Sequence, residues 1–89
     1  LLNSINTGLK TISGVCCLSD LGICVVTSQN QGTIKALDVQ TAVTVWEMLG
    51  QVGGIKCDPT GITACPDGRI FVADGKNKRI LLLQVNILT

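Results

Sequence analysis

Apolar and polar residues alternate along this chain in short runs, each closed by a cluster of Gly, Pro, Asn, Asp or Ser. Residues 23–27 and 33–38 are separated by Gln29-Asn30-Gln31-Gly32, and residues 70–74 and 79–84 by Gly75-Lys76-Asn77-Lys78. Short β-branched and aliphatic runs bounded by such breakers predict strands joined in hairpins. Two shorter runs, residues 15–18 and 62–65, come before them, and the second is followed by Pro66-Asp67-Gly68. Proline presets φ for a turn, Asp bonds back to the chain and Gly tolerates positive φ, so the strands on either side meet in a tight hairpin. Residues 43–48 alternate, with Val43, Val45 and Glu47 on one face and Thr44, Trp46 and Met48 on the other, which predicts a further, outer strand. No window shows a helical period.

The pattern recurs. With Gly68 placed under Gly22, a shift of 46 residues, residues 23–27 fall on 69–73 and residues 33–37 on 79–83. One inserted residue, Leu21, brings Gly14 to Asp20 onto Gly61 to Asp67 as well. Four strands in a unit of about 46 residues make one blade of a β-propeller, whose repeats run to about 40 to 50 residues. The first strand of each unit is short and rich in small residues, as suits the narrow edge of a blade near a central channel. The expected fold is therefore all-β: about two four-stranded antiparallel blades of a propeller, in an incomplete ring. Residues 1–13 are expected to form a lead-in or the end of a preceding blade, with a partial strand at 9–12. Residues 14–49 form the first blade and 50–89 the second, its outer strand (84–88) incomplete. A propeller closes with about four blades or more. The chain is thus expected to be a piece of a longer propeller, or to complete one by association of two or more copies.

Specific residues carry a resemblance. Pro59, Gly61 and Ile62, then Pro66-Asp67-Gly68 with Ile70-Phe71-Val72-Ala73-Asp74, then Asn77, Arg79 and Ile80, resemble the repeat of the NHL family of β-propellers. The first unit is a degenerate copy, with Ser28 where Asp74 stands and Thr33 where Arg79 stands. The resemblance implies a cross-strand pairing of Asp74 with Arg79. It further implies an interaction platform for protein partners, the substrate-recognition end of a tripartite-motif ubiquitin ligase. Some relatives bind RNA through one loop face, and others are metal-dependent lyases or hydrolases.

Composition narrows these readings. The chain has 89 residues, 46% of them hydrophobic and 15% charged, which fits a buried fold and excludes a disordered tail. A domain this small buries only about 60% of the surface its unfolded chain exposes, so alone it is marginally stable. Net charge is +1, with no global field to attract nucleic acid or an acidic membrane. The longest aliphatic run, Ile80-Leu81-Leu82-Leu83, is far short of the roughly 20 residues that span a bilayer, and no secretory signal is visible. Five cysteines, an odd number without paired zinc spacing, read as small buried hydrophobes of a reduced, cytoplasmic protein, one disulfide being the alternative. With no histidine, nucleophilic triad or phosphate loop, neither catalysis nor a cofactor or metal is expected.

Lys76, Asn77 and Lys78 occupy the turn between the second and third strands of the second unit, and Lys56 the connection leading into it. In a propeller these two kinds of loop emerge on the same face, gathering Lys56, Lys76, Lys78 and Arg79 with Asn77 as the candidate binding face. Lysines there would neutralise phosphates of single-stranded RNA, yet the first unit offers only Gln29, Asn30 and Gln31, and no aromatic is present to stack a base. Asp74, Arg79, Pro66, Asp67 and Gly68 are expected to be structural.

Overall fold

The computed structural model describes residues 4–48, 51–52 and 54–84. Strands β1 (Gly14–Leu18), β2 (Ile23–Ser28), β3 (Thr33–Asp38) and β4 (Thr44–Met48) form one antiparallel sheet in that order. A two-stranded hairpin follows, β5 (Gln51–Val52) with β6 (Ile55–Lys56), and then a second antiparallel sheet of β7 (Pro59–Ala64), β8 (Arg69–Asp74) and β9 (Arg79–Gln84). The molecule is all-β, two sheets standing as blades of an incomplete propeller. The outer strand expected beyond Gln84 lies outside the described residues, and among those there is no helix long and apolar enough to cross a membrane.

The internal repeat is visible in the register. Ser28↔Thr33, Thr27↔Ile34 and Ile23↔Asp38 in the first sheet become Asp74↔Arg79, Ala73↔Ile80 and Arg69↔Gln84 in the second, each partner moved by 46 positions. On the inner strand Val15↔Val26 becomes Ile62↔Val72. The extra residue, Leu21, is taken up in a single 3-10 turn, Ser19–Leu21, which Gly22 closes in the left-handed conformation at φ 65°. In the second unit Gly68 takes the turn position at φ 91°, a conformation that glycine adopts without a Cβ clash. The predicted Pro66-Asp67-Gly68 turn is also braced by Asp67, which accepts the Arg69 N–H (3.1 Å) and pairs with its Nε (2.7 Å).

The blades pack face to back. Cys16, Leu18, Ile23, Val25, Ile34, Ala36, Trp46 and Met48 on one side of the first sheet meet Ile62, Ala64, Ile70, Val72, Leu81 and Leu83 of the second. Each fully buried aliphatic side chain contributes about 1.5–3 kcal/mol relative to exposure. The other two faces differ. Residues of the lead-in lie along the first sheet, where Lys35 Nζ donates to the Thr7 carbonyl at 2.7 Å and Val26 and Leu37 are buried. On the second sheet Ile80 is 71% exposed and Leu82 57%, and Ile80 lines, with Gly61, Ile62, Thr63, Phe71 and Ala73, a shallow apolar hollow of about 270 Å³.

Three expectations are corrected. Residues 9–12 form no strand, because the Leu9 and Lys10 N–H groups donate to the side chains of Thr7 and Gln31 instead of to a neighbouring strand. The connection into the second unit is not plain loop: Val52 pairs with Ile55, with Gly54 at φ 79°. A Gly-Gly dipeptide between apolar residues is a hairpin signal that the strand pattern alone did not catch. Of the cysteines only Cys57 is buried; Cys17 is exposed and Cys16, Cys24 and Cys65 are intermediate. Alternation along the edge strand β1 sends Cys17 away from the core while Cys16 points into it.

Candidate binding groove between the blade loops

Two carboxylates organise the loop end of the blades. Asp74, the last residue of β8, is fully buried. Its Oδ2 accepts Arg79 Nε at 2.6 Å, and its Oδ1 accepts both the Asp58 N–H at 2.7 Å and Asn77 Nδ2 at 2.8 Å. Antiparallel pairing places Asp74 directly opposite Arg79, so register alone brings the two charges together. Burial by itself would raise the Asp74 pKa. The hydrogen bonds from Arg79, the Asp58 N–H and Asn77, with the Arg79 charge, outweigh it and hold the carboxyl below the usual carboxylate range. The Arg79 side chain is mostly buried, so it braces the hairpin from within and does not join a cationic surface.

Asp58 is the second organiser, and no sequence signal beyond a turn-favouring acid marked it. Its Oδ1 accepts Gln29 Nε2 from the first blade at 3.0 Å, its Oδ2 the Lys76 N–H at 3.1 Å, and its carbonyl the Gly75 N–H at 3.0 Å. One residue thus ties the β2–β3 turn of one blade to the β8–β9 turn of the next. Gly75 is needed there: a Cβ would stand 3.0 Å from both the methyl and the hydroxyl of Thr60. Asn77 adds the third tie, its Nδ2 also donating to the Lys56 carbonyl at 2.8 Å.

These ties frame an open groove of about 450 Å³ lined by Gln29, Asn30, Ile55, Lys56, Cys57, Asp58, Lys76 and Asn77. The structure therefore brings together Lys56, Lys76 and Asn77 of the candidate face. Lys78 and Arg79 are not among the lining residues: Lys78 adopts the left-handed conformation that ends the 3-10 turn Gly75–Asn77, and Arg79 turns inward to Asp74. Gln29 and Asn30 supply amide donors and acceptors from the first blade. Among the described residues no group of three or more His, Cys, Asp or Glu is placed to hold a metal ion.

Strand order, register and face-to-back packing define a fragment of a β-propeller built from repeated blades. Residues 57–81 match the family model of the NHL repeat. The matched segment spans β7, β8 and the start of β9 and contains both Asp58 and Asp74; the first blade lies outside it. No curated protein matches the chain.

Proposed function

We propose that the chain is a non-catalytic interaction module, part of an NHL-type propeller that receives an acidic, hydrogen-bonding segment of a protein partner in the groove between its blade loops. The observation that carries this reading is the convergence of Lys56 and Lys76 with the amides of Gln29, Asn30 and Asn77 on one groove, whose own carboxylate, Asp58, is engaged by internal hydrogen bonds. Two exposed ammonium groups amid neutral amides suit a carboxylate-bearing peptide, with charge giving steering and the amides giving register. In the family context the module would be the substrate-recognition end of a tripartite-motif-like ubiquitin ligase working in the cytoplasm. Further blades, from a longer polypeptide or from other copies, would complete the ring.

The test is a titration of the chain with a labelled acidic peptide and, in parallel, with a single-stranded RNA oligonucleotide over a range of salt. The expected result is peptide binding that K56E/K76E abolishes, with RNA bound only weakly at low salt. Tight RNA binding with a steep salt slope and no peptide binding would replace this reading with an RNA-binding loop face. In a ligase, the same double substitution should stop transfer of ubiquitin to the partner while leaving self-modification intact.

A further inference from the structure

Cys17 and Cys24 stand directly opposite each other in the β1–β2 pair. Directly opposed residues of an antiparallel pair lie about 4.5–5.5 Å apart at Cα, inside the roughly 4.4–6.8 Å that a disulfide spans. Both side chains leave the sheet on the face turned away from the second blade, and Cys17 is exposed. The pair belongs to the first blade alone: its equivalents in the second are Ala64 and Ile70, also directly paired. We propose that Cys17 and Cys24 form a redox-active dithiol that low-molecular-weight disulfides convert to a cross-strand disulfide without rearranging the blade.

The exposed thiol reacts first. Cys17, as its thiolate, attacks one sulfur of the small disulfide; a mixed disulfide forms on Cys17 and one thiol leaves. Cys24 then gives up its proton, attacks Cys17 Sγ and expels the second thiol. Two protein thiols and one small disulfide thus become one protein disulfide and two small thiols, with two electrons passed to the reagent. Of the neighbouring thiols, Cys16 is turned away. Cys16 points into the core between the sheets, and burial pushes its thiol up to about 11. Cys65 is the nearest rival, since it lines with Cys17 a hollow of about 250 Å³ at the opposite end of the strands from the binding groove.

The experiment is oxidation of the folded chain with oxidised glutathione, followed by thiol counting and non-reducing mass spectrometry. Cleavage at Asp20 separates Cys17 from Cys24 and so reveals the link. The expected result is loss of two of the five thiols and a Cys17–Cys24 disulfide with an unchanged far-UV circular dichroism spectrum. C24S should stop at a mixed disulfide on Cys17, C17S should abolish the link, and C65S should leave it intact. A Cys17–Cys65 link, a link to Cys16, mixed disulfides alone in the unsubstituted chain, or loss of the β spectrum on oxidation would overturn the proposal. Because Cys17 is exposed, C17A serves as a second variant where the serine perturbs folding.

Discussion

The two blades handle the same buried position in different ways. Where the second blade closes its β8–β9 hairpin with Asp74 opposite Arg79, the first closes β2–β3 with Ser28 opposite Thr33, and all four residues are wholly or largely out of solvent. Ser28 is satisfied by Thr11 Oγ1 at 3.0 Å and Gln31 Oε1 at 3.1 Å, both neutral. Both blades thus keep two polar residues at the base of the hairpin, each with a hydrogen-bond partner, but only the second joins them as an ion pair. The charged version adds reach, since Asp74 also holds Asp58 and Asn77 and thereby shapes the groove, whereas Ser28 holds only its own turn and the lead-in. The segment that matches the NHL repeat is the one that uses the ion pair.

The strongest way to break this comparison is D74A. It removes the carboxylate that accepts from the Arg79 guanidinium, the Asp58 N–H and Asn77, and removing one partner of a buried pair costs about 3–5 kcal/mol. Urea unfolding should register that loss, together with weaker peptide binding in the groove. A second substitution pair compares the outward face of one blade with its covered equivalent. Ile34 is fully buried under the second blade and Ile80, its counterpart one repeat on, is exposed. I34A should cost about 3 kcal/mol and I80A about 0.5 kcal/mol or less in the same unfolding assay.

Giving the second blade the chemistry of the first, D74S/R79T, removes both charges at once and should cost about 1–2 kcal/mol, clearly less than D74A. Its pH dependence sharpens the point. Because the folded state depresses the Asp74 pKa, its contribution is fully present above the unfolded value of about 3.9 and is lost as pH falls through the lower folded value. Unfolding midpoints measured from neutral pH into acid should fall less steeply for D74S/R79T than for the unsubstituted chain. Asp67 and Asp38 are also depressed, by the Arg69 N–H and by the Thr41 and Gln40 N–H groups, and set a common background in both proteins. Smallest of all, K56A/K76A should shift stability by about 0.5 kcal/mol or less, since both side chains are exposed, while binding in the groove falls.

Much of this was legible in the sequence, for a definite reason. Hairpin registers follow from turn chemistry and a strict period of two, and the Asp74–Arg79 pairing that the NHL resemblance implied is a product of that register. What escaped were features decided by side chains reaching across the fold. Asp58 looks like any turn acid until Gln29 of the preceding blade is seen to donate to it. The lead-in shares the apolar and polar mixture of a strand, yet Gln31 and Thr7 take its N–H groups. The cysteines are apolar by composition, but an edge strand gives one of its faces to solvent.

The single 3-10 turn that absorbs Leu21 shows what a unit of this molecule must hand on to the next. A residue added inside β1 or β2 would reverse which side chains enter the core, whereas the same residue added in the turn leaves every strand in phase. Unit length can drift by one and nothing downstream is disturbed. What is copied from blade to blade is the odd or even parity of each strand, and its loops are where the copying tolerates error.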